Sequence, residues 1–234
     1  MSSYPKETLI QALQAHQVDF AQVVPVDFQQ APFLAFDFSV NNPEIAHVDF
    51  STVEKMDEYV LGKMTEAQVN VAAGGYNEER AVYKRGATFD IEGGSRSIHL
   101  GIDIWMEAGT PVFAPLEGKI HSFQNNDNFA DYGPTIILEH TIAGLTFYSL
   151  YGHLSLESLE NKQEGQTVAK GEQIADFGVA EVNGQWTPHL HFQLMTDMLG
   201  KKGDFIGVAN KAERAYYLDI CPDPNLILNI PFRL

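Results

Sequence analysis

From about Tyr76 onward, short β-branched or aromatic runs are separated by Gly, Pro and Asn, and this punctuation constrains the fold more than any other feature of the chain. The runs cover residues 98–105, 111–114, 119–123, 135–140, 147–151 and 189–195. Apolar segments of that length, bounded by turn residues, read as strands of an antiparallel β protein. Two segments resemble one another: Gly109-Thr110-Pro111-Val112-Phe113 leading to Gly118-Lys119-Ile120, and Gly165-Gln166-Thr167-Val168 leading to Gly171-Glu172-Gln173-Ile174. Each sets a Gly, a Val three residues on, then a further Gly and Ile, which suggests a repeated hairpin-like unit in one sheet or barrel.

The chain before Tyr76 has a different texture. Leu9, Ile10 and Leu13 recur at helical spacing within residues 7–16. Ser51 followed by Glu54 has the form of a capping box, with Val53, Met56, Val60 and Met64 every three or four residues behind it, so a helix is expected from residue 52 to about 69. Gly74-Gly75 follows. The fold expected is mainly β: an antiparallel sheet or barrel-like domain over residues 76–234, preceded by a short, partly helical N-terminal extension over residues 1–75. That extension could serve as a lid, a partner-binding arm or a packing layer, with packing the default.

Acidic residues outnumber basic ones 31 to 15, for a net charge of −16. Long-range repulsion on that scale opposes binding to nucleic acid and to anionic membranes. No stretch approaches the roughly 18 apolar residues of a membrane span. Tyr4-Pro5-Lys6-Glu7 near the start is followed by Gln, His and Asp instead of an apolar run, so no secretory signal is visible, and the single Cys221 cannot form an internal disulfide. These features favour a cytoplasmic setting, with Cys221 a small packed residue.

Three contexts among the eight histidines point to a common site. In His99-Leu100-Gly101-Ile102-Asp103, residues four apart on a straight strand would stand about 13 Å from each other, so the chain must bend between them, and Gly101 permits it. An imidazole and a carboxylate brought together suit zinc. In Pro188-His189-Leu190-His191-Phe192, alternation puts both histidines on one face of a strand and Leu190 and Phe192 on the other, an arrangement suited to metal or catalytic work. In Tyr151-Gly152-His153-Leu154-Ser155, a histidine ends an apolar strand. His16, His47, His121 and His140 have no ligand-like partners nearby in sequence.

Taken together and in this order, H-x-x-x-D, Y-G-H-L-S and P-H-L-H-F resemble the lysostaphin-like zinc metallopeptidases, the peptidoglycan endopeptidase family. The resemblance covers about residues 96–195, and Cys221-Pro222-Asp223-Pro224 with Leu226 is similar to the family's closing D-P segment. It implies a zinc ion held by His99, Asp103 and His191, with His153 and His189 as the catalytic histidines. Three protein ligands would leave a position open for hydrolytic chemistry, and the expected substrate is a peptide or amide, with peptidoglycan-derived peptides the family's own class. The alternative is a catalytically inactive binding or regulatory protein that keeps the fold. Two departures bear on the substrate. Some members carry a tyrosine shortly before the first ligand, where this chain has Gly93-Gly94-Ser95-Arg96-Ser97. The approach to the H-x-H is also longer and contains Asn183-Gly184-Gln185-Trp186, with Trp186 either lining the site or packing beside it. The stretch from Asp131-Tyr132-Gly133-Pro134 through Asp204-Phe205 to Pro222-Asp223-Pro224 also resembles the peptidase segment fused to some class III aminotransferases, which would favour an intracellular amide or small peptide.

Overall fold

The computed structural model describes residues 4–80, 90–91 and 94–232; Gly93 of the departure noted above lies outside them. Helix α1 (Lys6–Ala15) buries Leu9 and Leu13, the apolar positions that its spacing marks. Strand β1 (Leu34–Ala35) and helix α2 (Val53–Glu66) follow, and α2 buries Met56, Val60 and Met64. Its cap is Thr52, whose side chain accepts from the Lys55 amide at 3.4 Å. Ser51, the expected cap, instead accepts from Lys55 Nζ at 3.2 Å. The helix ends earlier than expected because Gln68 turns left-handed, at φ 56°, and its amide closes on the Thr65 carbonyl.

Strand β2 (Ala72–Gly74) leads to β3 (Asp90–Ile91), β4 (Gly94–His99) and β5 (Ile102–Trp105). Next come β6 (Pro111–Phe113), β7 (Gly118–Asn126), β8 (Gly133–Ile142) and β9 (Leu145–Gly152). The last strands are β10 (Thr167–Val168), β11 (Gln173–Asp176), β12 (His189–Met195) and β13 (Val208–Asn210), before short helices α3 (Arg214–Ile220) and α4 (Asn225–Leu228).

Eight strands form one sheet in the order β1-β2-β5-β12-β9-β8-β7-β10, antiparallel throughout except for the parallel β1–β2 pair. Short strands, β1 and β10, stand at its ends and do not pair with each other, so the sheet is open and not a closed barrel. Smaller sheets pair β6 with β11, and β13 with β4 and β3. The two look-alike segments are not successive hairpins. They face one another, β6 against β11 and β7 against β10, and each opens on a left-handed glycine, Gly109 and Gly165, both at φ 81°.

Alternation on the central strands separates two layers. Ile102, Ile104, Leu190 and Phe192 turn into the main core with Ile136, Leu138 and Tyr151. Each such side chain, fully buried, contributes roughly 1.5–3 kcal/mol. A second cluster gathers Phe36, Phe38, Phe50, Met56 and Val60 from the N-terminal extension around Trp105 and Trp186. Cys221 is buried, and its Sγ receives a bond from Gln193 Nε2 at 3.4 Å. Among the described residues no helix is long and apolar enough to cross a membrane.

Candidate metal centre

The site is built on one row across four strands. Gly74 of β2 stands opposite Asp103 of β5, Asp103 opposite His191 of β12, and His191 opposite Gly152 of β9, with His153 next in the chain. The neighbouring row sets Trp105 opposite His189. Period-two alternation therefore puts Asp103, Trp105, His189 and His191 on one face, as the H-x-H spacing predicts. His99 ends β4, and the chain turns through Leu100-Gly101 into β5.

Gly101 acts differently from the expected bend. It takes no left-handed φ; rather, a Cβ there would stand 2.6 Å from both Cε1 and Nε2 of His191 and 2.8 Å from the Phe192 carbonyl oxygen. Glycine at 101 is the clearance that lets the imidazole of His191 lie against the turn.

His99 Nε2, Asp103 Oδ1 and His191 Nδ1 converge. The two nitrogens are 2.9 Å apart and lie 3.2 and 3.1 Å from the carboxylate oxygen. Outer partners fix the tautomers. His99 Nδ1–H donates to the Gly75 carbonyl at 2.8 Å, which leaves Nε2 a lone pair. Gln193 donates its Nε2 to the Ile206 carbonyl at 3.1 Å, so its Oε1 faces His191 and accepts from Nε2–H at 2.9 Å. The lone pair of His191 is then on Nδ1. Three lone pairs thus meet at about 3 Å, an arrangement that repels itself until a cation enters. Donors at about 2.0–2.2 Å around a tetrahedral zinc ion stand about 3.3 Å apart, so this set fits one.

Burial, then the nearby Arg80 charge, push His99 down to about 4, so its imidazole is neutral at ordinary pH. Burial alone would raise the Asp103 carboxyl, but His99, Arg80 and His191 outweigh it and hold it well below the usual carboxylate range. Arg80, only 4% exposed, pairs with Oδ2 of Asp103.

His153 and His189 sit beside this set, their rings 4.2 Å apart. Each donates Nδ1–H to a carbonyl at 2.7 Å, Asn183 for His153 and Thr187 for His189, leaving Nε2 as the basic nitrogen. Nε2 of His189 is 3.9 Å from Asp103 Oδ1, and Trp105 stacks on its ring at 5.6 Å and 22°. Burial, reinforced for His153 by His189, holds both histidines below their ordinary value. The backbone of His153 is left-handed, at φ 64°. This conformation costs a bulky residue roughly 1–3 kcal/mol, and bonds from its amide to the Tyr132 carbonyl and from the Gly178 amide to its own carbonyl hold it there.

The five residues line a cavity of about 270 Å³. Phe38 and Met56 from the N-terminal extension form part of its wall, with Trp186, Tyr132, Arg96, Lys201 and Asp204. Trp186 both lines the cavity, 6.4 Å from the rings of His153 and His189, and belongs to the second core cluster. The other histidines stand apart. His16 pairs with Asp19, His121 bonds Ser122, and His140 is buried against Glu117 and Ser149. Arg80, Gln193 and Tyr132, whose Oη is 3.4 Å from His191 Nε2, were not marked by the sequence reading. For Gln193 the signal was present: H-x-H-x-Q on a strand puts all three on one face.

Residues 97–210 match peptidase family M23. The chain is 35% identical over 95 residues to an uncharacterized metalloprotease of Haemophilus influenzae, covering 41% of this chain and 18% of that protein. It is 32% identical over 98 residues to the peptidoglycan DD-endopeptidase ShyA of Vibrio cholerae, covering 42% and 20%. The matches thus span about a fifth of each relative's length. Among solved structures, the catalytic domain of lysostaphin from Staphylococcus simulans is 27% identical, with a TM-score of 0.39 over 62% of this chain and 90% of that one. Over residues 97–210, just under half of its length, this chain is similar to peptidase family M23.

Proposed function

We propose that the site is a zinc-dependent hydrolase centre that cleaves a peptide or amide bond, with His99, Asp103 and His191 as ligands and His153 and His189 as the catalytic histidines. One observation carries the reading: three lone pairs converge within about 3 Å beside two further neutral imidazoles in the same cavity. Zinc bound there supplies a Lewis acid that acidifies water and polarises a carbonyl. The chain's own groups supply the rest. His153 and His189, each with Nδ1–H engaged, offer Nε2 to take a proton from attacking water and return it to the leaving amine. Burial keeps both uncharged and ready to accept. Trp105 holds the His189 ring in place, while the carbonyls of Asn183 and Thr187 stabilise whichever imidazole becomes charged.

The family and the relative named a peptidoglycan DD-endopeptidase support a peptide substrate, peptidoglycan-derived peptides among them. The wall formed by Phe38, Met56 and Trp186 favours a short segment of such a chain. The test is hydrolysis of short peptides and muropeptides by zinc-loaded protein. The expected result is turnover by the parent and a loss on the order of 10²–10⁴-fold in His153→Ala, with metal content unchanged. A parent that binds zinc and cleaves none of them would favour a binding protein instead.

A further inference from the structure

Asp103 uses its two carboxylate oxygens differently. Oδ1 faces His99, His191 and His189, at 3.2, 3.1 and 3.9 Å, whereas Oδ2 is paired with Nη1 of Arg80. The guanidinium is held on its other sides: Nε donates to Glu78 Oε2 at 2.6 Å, and Nη2 to the Gly74 carbonyl at 3.3 Å. Its backbone amide is tied to Ser97 on β4 at 2.8 Å, and the ring of Phe38 lies 5.6 Å away. Glu78 is fixed in turn, its Oε1 accepting from the Phe38 amide at 3.1 Å.

A buried cation beside a site built for a cation is a repulsive cost, and two carboxylates sharing one guanidinium offset it. Such an arrangement also has a consequence for ligation. A carboxylate with both oxygens available can take a metal through one or two of them. One whose Oδ2 is engaged in a buried charge-assisted bond offers only Oδ1.

We propose that Arg80 is a positioning residue for the metal centre: by holding Oδ2 it confines Asp103 to one-oxygen ligation and keeps a coordination position open, and Glu78 aims it. This rests on the ligand set proposed above. Lysine does not replace arginine here, because a point charge cannot reach Asp103, Glu78 and the Gly74 carbonyl at once, as the planar fork does. The segment from Gly74 to Arg80 then acts as a single outer support: it supplies carbonyls to His99 and Arg80, and Glu78 ties it to the N-terminal extension through Phe38.

The test compares the parent with Arg80→Gln, Arg80→Lys and Glu78→Gln in zinc affinity, by competition with a chelator, and in the visible absorption of the cobalt-substituted protein. Thermal unfolding of the metal-free forms is followed alongside. In Arg80→Gln, zinc binding weakens roughly 10- to 100-fold. Its cobalt d–d absorption also weakens, as Asp103 swings to two-oxygen ligation and the coordination number rises. Arg80→Lys behaves like Arg80→Gln, and Glu78→Gln shows a smaller change in the same direction. Parent-like or tighter zinc binding with an unchanged cobalt spectrum would overturn the proposal. Should the Arg80 variants not fold, Glu78→Gln decides, since it keeps the buried guanidinium but loosens its aim at Asp103. A parent that takes up neither metal overturns the ligand set itself, a result distinct from metal-binding variants that match the parent.

Discussion

Burial makes an imidazole neutral, and the partner of its second nitrogen decides what it is for. His140 has both nitrogens engaged, with the Glu117 carbonyl at 2.9 Å and Ser149 Oγ at 2.8 Å, and it packs on Phe147. His99, His153 and His189 each tie Nδ1 to a carbonyl and turn Nε2 toward the cavity. His140 is therefore a structural group with a pH signature. Burial pushes it from 6.5 down to about 4, so above pH 6.5 it is neutral in both folded and unfolded chains, and stability is full. As pH falls from 6.5 to 4, the unfolded chain takes the proton first and stability is lost, by about 3 kcal/mol for this one group. Denaturant unfolding across that window should show the fall, and His140→Gln should flatten it by that amount; an equal slope in both proteins would contradict the assignment. The five proposed site residues were marked in the sequence by their strand spacing together with the family resemblance, and all five line one cavity. Arg80 was not: in Asn77-Glu78-Glu79-Arg80 nothing separates a buried arginine from a solvated charge run, and only the pairing of this segment with β4 brings it to Asp103.

At the scale of elements, the apolar spacing located α1, α2 and the strand runs, while the details followed from chemistry that spacing does not encode. Thr52, and not Ser51, caps α2, because the chain enters its helical turn one residue later than the S-x-x-E pattern suggests. Thr52→Ala should then cost roughly 0.5–1 kcal/mol and Ser51→Ala much less, measured by chemical denaturation; the reverse order would restore the capping-box reading. The run over residues 98–105 is two strands, β4 and β5, in different sheets, because Leu100-Gly101 turns the chain beneath His191. The look-alike segments around Val112 and Val168 face each other, a pairing at long range that local similarity cannot distinguish from tandem hairpins.

For the whole molecule, the N-terminal extension continues the sheet that carries the site. β2 pairs with β5 beside Asp103 and Trp105, β1 pairs with β2, and Phe36 and Phe38 pack on Trp105, which stacks on His189. We propose that this region is a structural wall rather than a removable lid. Deleting residues 1–75 should lower the thermal midpoint sharply and abolish activity, because it strips the second core cluster and exposes the edge of β5. A stable truncated protein with raised activity on small peptides would establish a lid. Whether His99, Asp103 and His191 hold a metal ion is decided by elemental analysis of the purified protein after zinc loading and exhaustive dialysis, with His191→Ala beside it. One zinc ion per parent chain and none in the variant is the expected result. A parent without bound metal, or a variant that retains it in full, would contradict it.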